Sequence, residues 1–131
     1  MPQLQNLVLT DRAATPVNHT FTPRDVVNNV GTVTETTGLP IGNNQFSVSL
    51  RNTGNRYKAT LRASFPIVVT ETINGVSQPK VVRVSRCTVE FDFDSTSSEQ
   101  ERKDAVGMVM SSLDPTKVLV NDTVVKLQGV Y

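Results

Sequence analysis

The chain has 131 residues, with 13 Lys and Arg against 12 Asp and Glu, for a formal charge of +1. This is the length of one domain, and a near-neutral total argues by itself against a nucleic-acid-binding protein, which usually carries a clear basic excess. Valine, threonine and isoleucine supply 40 of the residues, and β-branched side chains, stiff at χ1, favour strands. No apolar run approaches the roughly 18–20 residues of a membrane span, and the opening MPQLQNLVLTDR has neither the basic nor the apolar region of a secretory leader. A single cysteine, Cys87, excludes an internal disulfide framework and a multi-cysteine zinc site, and a single histidine, His19, argues against a histidine-based metal site. The expectation is a soluble protein of a reducing compartment, with no cofactor, no metal and no membrane partner.

In chain order, 4–11 has a short apolar centre that can form a strand, and 17–23 alternates Val17, His19 and Phe21 against Asn18, Thr20 and Thr22. Joined by RAATP, the two read as a hairpin. Residues 24–30 are ambiguous, 31–37 can form another strand, and the Gly, Pro and Asn of 38–44 form a turn cluster. In 45–51, Phe46, Val48 and Leu50 alternate with Gln45, Ser47, Ser49 and Arg51, so one strand face is apolar and the other carries hydroxyls and a cation. After the turn 52–55 the alternation resumes over 56–70, with Tyr57, Ala59, Leu61, Ala63 and Phe65 opposite Lys58, Thr60, Arg62 and Ser64. Asn74-Gly75 is a strong hairpin signal. The long strand 80–94 that follows places Cys87, Val89, Phe91 and Phe93 on one face and Arg86, Thr88, Glu90, Asp92 and Asp94 on the other.

At residue 95 the period changes. A Ser/Thr cluster precedes Glu99 and Glu101, the signature of a capped helix N-terminus. Val106, Val109, Met110 and Leu113 then follow at helical spacing. Asp114-Pro115 predicts the start of a second helix, with Val120, Val124 and Leu127 on its apolar side. The fold class is α+β: an antiparallel sheet followed by two short helices. The parts of one domain are an N-terminal hairpin over 1–23, the sheet over 24–94, and two helices with a C-terminal tail over 95–131. The sheet's apolar face needs a cover. With only two short helices to provide it, the chain is expected to be an obligate dimer.

Enzyme chemistry is nearly absent. His19 fits a structural role, Cys87 on an apolar face predicts a buried and inert thiol, and no serine stands in a nucleophile-elbow setting. The row Glu90, Asp92, Asp94 reads as a solvated strand face. What remains is a surface: Ser47, Ser49, Arg51, Lys58, Thr60, Arg62, Arg86 and Thr88 share the polar face of three strands. Cations neutralise phosphates, and strand-borne side chains can hydrogen-bond to exposed base edges. Charge segregates accordingly: residues 1–43 carry −1, residues 44–88 carry +6 and residues 89–131 carry −4. The two readings are a polyanion site and an ordinary solvated sheet.

LQNLVLTDR at 4–12, NNVG at 28–31, FSVSLRNTGNRYKATL at 46–61, ETINGVSQP at 71–79, RCTVEFDFD at 86–94 and the terminal LQGVY resemble the coat protein of the small icosahedral single-stranded RNA bacteriophages, the leviviruses. The likeness runs nearly end to end and is greatest to the plasmid-dependent members. It implies an N-terminal β-hairpin, a five-stranded antiparallel sheet and two C-terminal α-helices, interlocked in a homodimer with a ten-stranded sheet. It further implies assembly of dimers into a T=3 icosahedral shell around genomic single-stranded RNA. Binding of an RNA stem-loop operator would repress translation of the replicase. The implied partners are a second copy, that RNA with its hairpin, and a phage maturation protein. The implied location is the virion, after synthesis in the bacterial host cytoplasm.

The resemblance also implies adenine pockets, at positions matching Val30, Ser47, Ser49, Thr60 and Arg62, with Arg51, Asn55 and Lys58 near the RNA backbone. Thr88 and Glu90 match neighbouring base-contact positions. Arg86 stands where several relatives have a base-stacking tyrosine, and its guanidinium plane can stack while adding charge. The segment 71–79 matches the loop at the shell's symmetry axes, where Asn74-Gly75 and Pro79 would supply conformational freedom. The competing class is a non-viral β-rich protein–protein interaction or surface-subunit module without RNA binding. A hydrolase using Ser and His19 is the weakest reading.

Overall fold

A computed structural model describes residues 2–36 and 40–131. The chain divides into two compact units, Met1–Asp92 and Phe93–Tyr131. The first holds β1 (Leu7–Thr10), β2 (Asn18–Val27), β3 (Val30–Glu35), β4 (Asn44–Asn52), β5 (Arg56–Ile73) and most of β6 (Val76–Asp94). They form one antiparallel sheet of six strands in sequence order. The strand count therefore exceeds the expected five by one, because β2 serves both the hairpin and the main sheet. Its first half pairs with β1, from Leu7↔Phe21 to Thr10↔Asn18, and its second half pairs with β3, from Thr22↔Thr34 to Val27↔Val30. The register slips between Pro23 and Asp25. Proline lacks the N–H a ladder needs, so a bulge is where a strand tolerates it.

The connections show why these strands meet. Asp11 Oδ1 accepts hydrogen bonds from the backbone N–H groups of Ala13 (3.1 Å) and Val17 (3.0 Å), which shapes the β1–β2 loop. The ambiguous stretch 24–30 proves to be the end of β2 and a two-residue turn, with Asn28 at φ 52° and Asn29 at φ 65°. Asn74 (φ 53°) and Gly75 (φ 79°) make the same kind of turn between β5 and β6. Positive φ at both central residues matches the twist of paired strands. The segment 71–79, expected as a loop, is consequently the tip of a long hairpin, and Pro79 lies inside β6. The turn cluster expected over 38–44 falls partly outside the described residues; its later part includes a 3₁₀ turn at Pro40–Gly42.

Alternation and register together sort the side chains. Val33↔Phe46↔Ala63 and Gly31↔Val48↔Leu61 form rows across one face. The N-terminal residues Pro2–Leu7 border a largely apolar groove of about 590 Å³ on this face, lined also by Val26, Val33, Phe46 and Leu50. Gly31 matters here, because a Cβ on it would stand 3.1 Å from Leu4 Cδ1. Yet the face is thinly covered. Among the described residues only Phe21 and Val33 are buried hydrophobics, while Leu50 remains 61% exposed and Val26 62%. Cys87 is exposed, not buried as its apolar strand face suggests. Its strand, β6, is the edge of the sheet, so neighbours flank it on one side only.

One end of the same face is closed by charge. His19 donates from Nε2 to Asp11 Oδ2 and from Nδ1 to Glu35 Oε2, both at 2.7 Å, and Asn44 Nδ2 donates to Glu35 Oε1 at 2.9 Å. This cluster ties the β1–β2 loop to β2, β3 and β4. An imidazole donates from both nitrogens only when protonated. The structural role expected of His19 is thus a cationic clip. The hydrogen bonds from Asp11 and Glu35 hold its pKa above the ordinary 6.5, while His19 and the Val17 and Ala13 amides hold Asp11 down to about 2.

In the second unit, α1 (Glu99–Ser112) starts as its sequence predicts: the Ser98 side chain accepts from the Glu101 N–H at 3.2 Å. The second helix does not begin at Asp114-Pro115. Asp114 Oδ1 accepts from Thr116 N (2.9 Å) and Thr116 Oγ1 (2.7 Å), and Lys117 N–H bonds back to Asp114 O at 2.9 Å. That closes a single turn. Lys117, at φ −87° and ψ 86°, then interrupts the helical path, and α2 spans only Val118–Val124. Neither helix buries a residue; Met110 is 71% exposed and Leu119 68%.

The clip has a defined pH window. A histidine pKa raised on folding stabilises the protein below 6.5, and that contribution is lost as pH rises through the raised value. A carboxylate pKa lowered from 3.8 to about 2 stabilises above 3.8 and is lost as pH falls toward 2. His19→Gln should therefore lower the melting temperature of the purified protein at about pH 6, with the gap to the parent narrowing toward about pH 9. Thermal melting across pH checks this; a gap that stays constant would remove the cation from the explanation.

Candidate nucleic-acid interface

The other face of the sheet is built by the same register. Ser49 lies between Val30 on β3 and Thr60 on β5, Ser47 lies between Thr32 and Arg62, and Arg51 pairs with Lys58. Three adjacent strands, spaced about 4.8 Å apart, thus lay out parallel rows of an apolar or hydroxyl group, a second hydroxyl, and a hydroxyl or cation. They border a depression of about 610 Å³.

Eight of the eleven residues singled out from the sequence line this depression: Val30, Ser47, Ser49, Arg51, Lys58, Thr60, Arg62 and Glu90. The other three lie outside its lining. Asn55 is in the β4–β5 turn, where Gly54 takes φ 80° and Thr53 N–H bonds to Arg56 O at 2.9 Å. Arg86 and Thr88 lie on β6. The lining also includes Asn28, Asn29, Leu50 and Asn52, which the sequence reading did not place there. A signal existed for the first two. An Asn-Asn pair between two strand-like stretches tolerates positive φ at both positions, and recognising that turn brings it beside Val30.

Pairing decides which cations remain available. Lys58 Nζ is 3.9 Å from Glu90 Oε1, a loose exposed contact, and Arg56 Nε is 2.7 Å from Asp92 Oδ1. Lys80 lies 3.7 Å from Glu71 near the far end of the sheet. The acids of the final strand thereby offset part of the central positive charge. Arg51 and Arg62 have no ion-pair partner among the described residues and are exposed. Two unpaired guanidinium groups, one loosely held ammonium and a cluster of hydroxyls can bind a polyanion and hydrogen-bond to planar groups seated among them. The described residues hold no group of three or more His, Cys, Asp or Glu able to bind a metal ion.

With that geometry in place, known proteins can be set beside the chain. Residues 2–131 match the levivirus coat protein family. The capsid protein of Pseudomonas phage PRR1 is 55% identical over 130 residues, which cover 98% of this chain and 99% of that protein. Among solved structures, the virus-like particle of bacteriophage ESE058 superimposes with a TM-score of 0.85 at 25% identity, covering 99% of this chain and all of that one. The bacteriophage GA capsid protein gives 0.79 at 19% identity, with 98% of each chain covered.

Proposed function

The chain belongs to the levivirus coat protein family, and from that premise we propose that the cationic sheet face binds an RNA stem-loop operator, repressing replicase translation, and faces genomic RNA inside a T=3 shell. As a phage capsid protein it is a component of the virion and has a structural, not enzymatic, role. The full-length family match sets aside a non-viral interaction module. The observation that carries the RNA reading is the pairing pattern: Arg51 and Arg62, without ion-pair partners among the described residues, stand beside Ser47, Ser49 and Thr60 around one depression. Cations supply sequence-independent affinity through phosphate, and hydroxyls and strand-borne donors supply contacts to exposed base edges.

Val30 is a small apolar surface against which a base can lie. Asn55, Arg86, Thr88 and Glu90 extend the proposed site beyond the residues nearest the depression's centre. Arg86 supplies a planar cation for stacking.

The apolar surface supports the first assembly step. Val26, Val48 and Leu50 on the sheet and Val106, Met110 and Leu113 on α1 are all exposed in one chain. Burial of apolar area contributes about 25 cal/mol per Å², so two copies are stabilised by covering these surfaces mutually, the helices of each over the sheet of its partner. The dimers then close the shell, with the β5–β6 hairpin tips at its symmetry axes. A maturation protein is the further proposed protein partner.

Two outcomes follow. Arg62→Ala and Ser47→Ala should each weaken stem-loop binding by about 1–3 kcal/mol while shells still form, and Arg62→Ala should also reduce the salt dependence by about one charge. Filter binding across salt concentrations reads both; unchanged affinity would show that RNA does not use this face. Deleting 73–77 should leave folded dimers that do not close shells, as seen by size exclusion and negative-stain microscopy. Normal particles from the deletion would exclude the hairpin tip from closure.

A further inference from the structure

The chain makes the same two-residue turn twice, with different residues. Between β5 and β6 the turn is Asn74-Gly75, at φ 53° and 79°. Between β2 and β3 it is Asn28-Asn29, at φ 52° and 65°. Glycine meets the left-handed requirement with no Cβ penalty, and the distal turn uses it at the second position. The backbone therefore does not call for a side chain where Asn29 stands. What distinguishes the Asn28-Asn29 turn is its location. Both residues line the depression with Val30, Ser47 and Arg62. Both are exposed, and neither carboxamide has a hydrogen-bond partner among the described residues.

A carboxamide presents a donor and an acceptor side by side and carries no charge. It adds nothing to phosphate neutralisation, which Arg51, Lys58 and Arg62 already supply. Its donor–acceptor pair complements the edge of adenine, where a ring nitrogen accepts and the exocyclic amine donates. An extruded, unpaired base in RNA exposes that edge.

We infer that Asn28 and Asn29 are specificity-determining residues of the RNA site, reading the edge of an unpaired adenine seated in the depression. This rests on the RNA-binding reading above and goes beyond it. The cations hold the strand in place, and the β2–β3 turn selects the base. The exocyclic amine donates to a carboxamide oxygen, and a carboxamide N–H donates to the neighbouring ring nitrogen.

The test exploits glycine, which keeps the turn and removes the side chain. Wild-type protein is used to select a stem-loop from an RNA pool with a randomised loop. Copies are then made with each unpaired adenosine replaced in turn by purine riboside, which lacks the amine. Affinities are measured for wild type, the double variant Asn28→Gly/Asn29→Gly, Asn29→Asp and Arg62→Ala. The glycine variant should melt and assemble like wild type yet bind about tenfold more weakly. One purine replacement should weaken wild type by a similar factor and have no further effect on the glycine variant. Asn29→Asp, which also tolerates positive φ but has no amide donor, should behave likewise.

Undiminished binding by the glycine variant, with Arg62→Ala still weakened, overturns the inference and leaves the RNA site standing. A loss in the glycine variant that is the same for every purine replacement assigns the amides to phosphate and also overturns it. If wild type selects no stem-loop and Arg62→Ala changes nothing, the RNA-binding reading fails, and the inference with it.

Discussion

A strictly alternating sheet needs cover on its apolar face, and in this protein a single chain buries only Phe21 and Val33 among its described hydrophobic residues. Much of the remaining architecture answers to that constraint. Fully exposed aliphatic side chains such as Leu50 and Met110 forgo about 1.5–3 kcal/mol each relative to burial, and they occur on the sheet and on both helices. A monomer with so much uncovered apolar surface is poorly suited to exist alone. A capsid protein has a use for this arrangement, because the missing cover becomes the driving force for association. The N-terminal segment gives a local version of the same solution, with Leu4 set so close to Gly31 that a methyl group there would collide with it.

The same alternation that leaves one face apolar assembles the other. A period of two means that every residue paired across β3, β4 and β5 shares a face with its partner. The hydroxyls of Ser47 and Ser49 therefore come beside Thr60 and Arg62 without any loop having to position them. Such a site is rigid to the extent that the ladder is rigid. Its electrostatics are set across strands: Glu90 and Asp92 approach Lys58 and Arg56, while Arg51 and Arg62 keep their charge unpaired among the described residues. The +6 carried by residues 44–88 is therefore an upper bound on what a ligand meets. The near-neutral total for the chain says even less, because it averages over segments of opposite sign.

His19 shows how the apolar face ends. A protonated imidazole between Asp11 and Glu35, with Asn44 completing the set, joins four parts of the first unit through charge-assisted hydrogen bonds. No hydrophobic contact would do this at a rim open to water. The cluster gives the fold a pH dependence centred on one residue.

Much of the fold was legible in the chain itself. The alternation over 45–51 and 56–65 decided which side chains share a face, Asn74-Gly75 marked a turn, and Ser98 with Glu101 marked a helix start, because each of these is a local property of period, φ or capping. Other features were not legible. Cys87 was expected to be buried, but exposure depends on what flanks a strand, and β6 proved to be an edge. Asp114-Pro115 was expected to open a helix, but Thr116 captured the carboxylate and Lys117 broke the path. Asn28, Asn29 and Asn52 entered the candidate site only through the structure. Register is a relation between strands, and a slip of one residue would exchange the faces. By itself, then, the sequence determined the chemistry of each face, while the tertiary structure alone decided which residues from different strands meet there and which charges are left unpaired.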